Sequence, residues 1–214
     1  MRRRLFSTYS RKIKQWIRKT KLSTKIGVVL SICLFVLYAY DMNTKRLSVD
    51  TATYSPLMNL IGQIESNNNY NAYYAKPENT DIQFTNMSVA EVMKWQEEFV
   101  ASGSPSSAVG RYQIINTTLA GLVHELSINT NQTFNKNMQD RMAIALFERR
   151  GSVAYVNKEL TAEEFAANLA QEWAALPKVI GDNPDSSYYA NDGLNSSRTK
   201  PETILGVVNQ LSAE

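Results

Sequence analysis

The sequence predicts an α+β, mainly helical domain with a small β region, preceded by one N-terminal transmembrane helix. Three observations carry that prediction. Residues 55–66 show a helical apolar period behind a Ser-Pro start. Ser88-Val89-Ala90-Glu91 and Thr161-Ala162-Glu163-Glu164 both have the hydroxyl-to-carboxylate spacing of a capping box. Residues 26–40 run for 15 positions without a charge. The chain is therefore divided into a basic cytoplasmic tail (1–25), a transmembrane signal-anchor (26–40), a polar linker (41–54) and a folded domain (55–214).

Charge is unevenly spread along the 214 residues. Ten of the 23 basic residues and none of the 20 acidic ones fall in residues 1–25, so the remainder holds 13 bases against 20 acids, a net of −7. The overall +3 belongs to the tail. It gives no footprint for a nucleic-acid-binding body, and no nucleic-acid partner is expected. With one cysteine (Cys33) and one histidine (His124), there is no disulfide framework and no Cys-based metal site. No metal or cofactor is expected. His124 lies off the apolar face formed by Leu119, Leu122, Val123 and Leu126, and reads as a surface residue rather than a catalytic base.

At about 1.5 Å per residue, the run 26–40 spans roughly 22 Å, short of the ~30 Å hydrocarbon core, which implies a thinned or mismatched bilayer. Lys25 can snorkel, and Tyr38 and Tyr40 suit the headgroup level. Basic residues are denser before the run than after it. That asymmetry places the amino terminus in the cytoplasm and the domain in the periplasm, on a single-pass inner-membrane protein. A cleaved signal peptide is the rival, but its n-region is unusually long and no Ala-x-Ala-like site precedes Asp41.

Within the domain, Ser55 is placed to cap a helix with Pro56 in its first turn, and Leu57, Leu60, Ile61 and Ile64 form its buried face. Asn67-Asn68-Asn69 stops it. Residues 67–87 read as irregular loop and short antiparallel strands, with Ile82-Gln83-Phe84 among them. A helix opens at Ser88 with Val92, Trp95 and Phe99 inward, and Ser102–Ser107 is loop by composition. A helix carrying His124 follows, then one from about Asn137 to Arg150 closed by Gly151. Thr161 opens a helix with Phe165, Leu169, Trp173 and Leu176 inward, running to Pro177. Residues 178–200 are loop-like, and Pro201–Leu211 is the last helix.

Glu65 is the candidate acid. It sits on the last turn of the first helix, four residues after Ile61 and beside the apolar stripe. The partly negative helix end and partial burial both disfavour ionisation, and a raised carboxyl pKa is what a general acid near neutral pH requires. A solvated surface glutamate is the alternative from this helix alone.

Three segments taken together, Ile64-Glu65-Ser66, Ser107-Ala108-Val109-Gly110-Arg111-Tyr112-Gln113-Ile114 and Glu172-Trp173-Ala174-Ala175-Leu176-Pro177, bring a family into view. The chain resembles the lytic transglycosylases and lysozyme-like endolysins, most closely the phage lambda type, over roughly residues 55–212. The resemblance implies a lysozyme-like domain acting on peptidoglycan glycan strands. There the single Glu65 protonates the leaving oxygen and then takes a proton from the sugar's own 6-hydroxyl, closing a 1,6-anhydro ring. It also implies substrate contacts at Ser66, Ser107, Gly110, Tyr112 and Gln113, and at Tyr188 or Tyr189 after the Trp-Ala-x-Leu-Pro segment, although Asn191-Asp192-Gly193 departs from the family pattern there. Core packing is the alternative for Tyr112, and a helix start for Gln113. Arg111 reads as a structural ion-pair partner and Trp173 as core.

A hydrolytic muramidase needs a second carboxylate about 5–9 Å from the first, and Asp81 is the candidate. Two further alternatives are a non-catalytic peptidoglycan-binding membrane protein and a membrane-permeabilising factor built on the basic tail and apolar run.

Overall fold

Seven helices and a set of tight turns make up the part of the chain that the computed structural model describes, residues 52–212. These residues belong to the unit Asp50–Glu214 of the two into which the chain divides. The basic tail, the apolar run 26–40 and most of the linker lie outside the described residues. Among those described, no helix is long and apolar enough to cross a membrane.

Helix α1 covers residues 52–66. Ser55 and Pro56 thus lie inside it, and Ser55 is not its cap. Pro56, without an N–H, makes no bond to the carbonyl four residues back. The buried face differs from the expected one: Tyr54, Leu57, Met58 and Ile61 are buried, whereas Leu60 and Ile64 are half-buried. Glu65 continues that stripe, four residues beyond Ile61.

The capping boxes form as the sequence predicts. Ser88 opens α2 (Val89–Ala101) through its reciprocal bonds with Glu91, and Thr161 opens α6 (Ala162–Ala170) with Glu164. Between them lie α3 (Asn116–Glu125), α4 (Lys136–Arg149, capped by Asn135) and the short α5 (Ser152–Val156). Gly151, at φ 101°, ends one helix and starts the next. The final α7 covers Pro201–Val208 and tightens into a 3-10 turn at Asn209–Ser212. Helix α6 stops earlier than expected, and other groups take the carbonyl of the residue that caps its end. The Gln171 carbonyl accepts from Arg150 at 3.2 Å and from the Tyr189 hydroxyl at 2.7 Å, and Trp173 and Leu176 follow in turns.

In place of the short antiparallel strands expected over 67–87, the β contacts among the described residues are single antiparallel bridges, such as Tyr73 with Val109 and Val109 with Ile114. The Ile82-Gln83-Phe84 run leads into a 3-10 turn, Phe84–Asn86. Asparagine side chains occupy the groups that a ladder would pair. Asn79 Nδ2 donates to the carbonyls of Asn71 and Ile82 (2.6 and 2.8 Å), Asn69 Nδ2 to those of Pro77 and Asn79, and Asn71 Oδ1 accepts from the Thr85 N–H.

One continuous core joins these elements. Tyr54 packs on Phe147 at 5.5 Å between ring centroids, and Phe147 on Trp173 at 5.3 Å, so α1, α4 and the segment after α6 meet through three aromatic rings. A second aromatic group, Tyr73, Phe84, Trp95 and Phe99, fastens the asparagine-rich loop to α2.

Candidate active site

Helix α1 ends in a fixed geometry. Asn67 and Asn68 both adopt left-handed backbone, at φ 53° and 63°, and the Asn68 N–H returns to the Gly62 carbonyl at 2.8 Å. Asn68 Oδ1 then accepts from Arg111 Nε and Nη2 at 3.1 and 2.9 Å. A Cβ on Gly62 would stand 2.5 Å from Arg111 Nε, so only glycine lets the guanidinium lie this close to the helix.

Glu65, on this last turn, is half-buried. Burial pushes its carboxyl pKa from 4.5 up to about 7, against the opposing pull of Arg198 and of the Ala175 backbone. The helix end contributes less than its position implies, because Arg198 Nη1 covers the Ile64 carbonyl at 3.1 Å. Glu65 is thus a protonated acid up to neutral pH, as the sequence led us to expect of a general acid.

The Gly110–Gln113 turn is joined to this helix end. Ser66, 1% exposed, donates through Oγ toward the carbonyls of Gly62 (3.0 Å) and Arg111 (2.8 Å). Gly110 has φ +77°, and Gln113 is also left-handed at +48°. Beyond the turn, Trp173 Nε1 donates to the Tyr112 carbonyl at 3.1 Å. Two residues later, the backbone of Ala175 lies beside Glu65 and favours its carboxylate. The three segments therefore close a ring: Glu65 and Ser66, then Arg111 and Tyr112, then Trp173 to Ala175, and back to Glu65.

Beneath the ring lies a buried polar cluster. Arg111 faces Asp140 at 3.7 Å and donates to Asn59, Tyr70 and Tyr112, which is the structural ion-pair role expected of it. Tyr70 and Tyr112 both donate to Asp140, at 2.8 and 2.6 Å. Burial, followed by these bonds to Asp140, holds both phenols above their ordinary pKa, so they remain donors.

This arrangement corrects several expected substrate contacts. Tyr112 is 1% exposed and has no ring face to offer a sugar. Ser66 is a pin between helix and turn. Ser107, buried, accepts from the Asn116 N–H at 3.0 Å and so caps α3, where Ile115 supplies no side-chain cap. The close approach at Gly110 is to a protein group: a Cβ there would collide with the Gln139 side chain, which accepts from the Arg111 N–H. Gln113 is half-buried and does not start α3; its Nε2 donates to the Gly110 carbonyl at 2.9 Å. Tyr188 and Tyr189 are exposed at 55% and 38%, paired edge-to-face at 5.2 Å, and remain open to a ligand.

The other carboxylates near these segments are engaged. Glu172 pairs with Arg150 at 2.8 Å and Asp140 with Arg111. Asp81 is exposed in the loop, its N–H on Asn79 Oδ1. Sequence reasoning missed two contributors, the Ala175 backbone and Arg198. A backbone group has no residue signature, and Arg198 stands in a loop remote in sequence from the helix it touches.

No curated protein and no solved structure matches the chain. The family model for Endolysin matches residues 62–191, more than half of the 214. That range takes in Glu65, the Gly110–Gln113 turn, the Trp173–Pro177 segment and both exposed tyrosines. With the acid, the ring of contacts and this match agreeing, the chain belongs to the endolysin family: it is a lysozyme-like, peptidoglycan-cleaving enzyme of the phage endolysin type.

Proposed function

We propose that the protein is a membrane-anchored peptidoglycan lytic transglycosylase that cleaves the MurNAc–GlcNAc β-1,4 bond with Glu65 as its single acid and base. The observation that carries this reading is the state of Glu65. It is a half-buried carboxyl kept protonated to about pH 7, while Asp140 and Glu172 are tied to arginines. Glu65 gives its proton to the glycosidic oxygen as positive charge develops on the muramic ring. The resulting carboxylate takes the proton of the muramoyl 6-hydroxyl, whose oxygen bonds to C1 and closes the 1,6-anhydro ring. A tethered hydroxyl stands in for activated water, because its effective concentration at C1 is far higher than that of a free nucleophile. Tyr188 and Tyr189 supply exposed rings for sugar stacking.

Product mass spectrometry of digested murein, run beside zymography of Glu65→Gln, is the test. Anhydromuramoyl ends from the wild type and no clearing by the variant are expected. Products heavier by one water make the enzyme a muramidase, and clearing by Glu65→Gln removes the assignment of the acid. The anchor at 26–40, the cytoplasmic amino terminus and a periplasmic domain used in phage lysis, entry or local wall remodelling belong to the same proposal. It is supported by the apolar run and by the excess of basic residues before it. A chain beginning at Asp41 is expected to clear murein yet leave the membrane fraction.

A further inference from the structure

We infer that Arg198 is a positioning residue for Glu65: it clamps the carbonyl end of α1 and sets a positive charge beside the carboxyl that must form an anion when its proton is transferred. The inference rests on the reading of Glu65 as the general acid, and it concerns a residue beyond the segment 62–191 that the family match covers.

Two bonds fix Arg198, and both go to immediate neighbours of the acid. Nη1 donates to the carbonyl of Ile64, the residue before Glu65, at 3.1 Å. The Arg198 N–H donates to the carbonyl of Ala175 at 2.9 Å, and Ala175 is the residue whose backbone lies beside Glu65 and favours its carboxylate. Backbone and side chain of one residue thus bracket the carboxyl. A guanidinium has five donors in a rigid fork, and the bond to Ile64 takes one of them.

The charged groups on the surrounding segments leave Arg198 as the cation that acts on Glu65. Residues 52–66 contain no other charged residue. On the 110–113 turn, Arg111 is directed to Asp140, Asn59 and Asn68. On the 171–178 segment, Glu172 is paired with Arg150, and Lys178 Nζ donates to the Asp182 carbonyl. Burial alone favours the neutral acid and so opposes proton donation, whereas a nearby cation favours the carboxylate. Arg198 costs little beside a neutral carboxyl and stabilises the anion as it appears, so its effect falls on the reacting state. It also neutralises the partial negative charge at the helix end, which otherwise repels that anion.

The test is the pH profile of murein clearing by the full chain. In Arg198→Gln the alkaline limb is expected to move up by roughly half to one pH unit, an exposed cation being partly screened. The maximal rate falls several-fold while KM changes little. Arg198→Lys, which keeps the charge, returns the limb most of the way to the wild type. A limb in Arg198→Gln that superimposes on the wild type overturns the inference. If Arg198→Gln fails to fold, the ¹³C carboxyl titration of Glu65 in the wild type decides instead. Its midpoint rises with added salt if Arg198 acts as argued, and an unmoved midpoint overturns the inference. Glu65→Gln is assayed in parallel: clearing by that variant refutes the acid itself, whereas an inactive Glu65→Gln with an unmoved Arg198→Gln limb refutes only the role of Arg198.

Discussion

The Ser66 hydroxyl donates to the Arg111 carbonyl at 2.8 Å, across 45 positions of sequence, and this bond ties the residue beside the acid to the turn below it. Ser66, buried, thus joins the helix end to the turn through its hydroxyl. Its position is set by the left-handed Asn67–Asn68 pair, which ends α1 one residue later.

Ser66→Ala removes the donor and leaves the Arg111 carbonyl short of a partner inside the protein. A loss of about 1–2 kcal/mol in urea denaturation is expected, with a several-fold fall in clearing. A variant as stable and active as the wild type would show that the pin is dispensable.

Gly110→Ala forces a side chain onto a backbone at φ +77° and into the Gln139 amide. The two effects together are expected to cost about 2–4 kcal/mol, seen as a lower urea midpoint with an unchanged slope. The cause is packing against α4, so binding of glycan by whatever fraction stays folded should be unaltered.

Glu65 links stability to pH with a definite sign. Its pKa in the folded protein, about 7, lies above the ordinary 4.5. Below 4.5 both states are protonated and the contribution is fully present. As pH rises toward 7 the unfolded chain has lost a proton that the folded one still holds, so stability declines, and the loss is complete once pH has passed through the folded pKa. Glu65→Gln lacks this penalty. Relative to the wild type it should gain on the order of 2 kcal/mol between pH 4.5 and pH 8, by denaturation at both. A pH-independent difference would mean that the carboxyl titrates normally.

Asp81→Asn separates one-acid from two-acid chemistry. Asp81 is exposed and its loop is held by Asn79, so the substitution should leave clearing within about twofold and the product mass unchanged. A loss comparable to that of Glu65→Gln would make Asp81 the second carboxylate.

Features set by local chemistry could be read from the sequence. The capping boxes at Ser88 and Thr161 form within four residues, and the triple asparagine stop follows from the tolerance of asparagine for left-handed backbone. Glu65 was legible because the spacing from Ile61 is itself local. Features set by tertiary partners were hidden. Tyr112 reads alike whether its ring faces a sugar or the core, and its bond to the half-buried Asp140 decides the matter. Trp95 and Phe99 suggested a helix face, whereas the loop they hold down takes its shape from asparagine side chains. That α1 already includes Ser55 and Pro56 was masked, because a serine followed by a proline ordinarily opens a helix.

The bond from Arg198 to the Ile64 carbonyl joins residues 134 positions apart, near opposite ends of the described chain. A polypeptide still emerging from the ribosome, or one clipped before residue 198, therefore holds the whole segment that the family model matches yet lacks the arginine that closes the carbonyl end of α1.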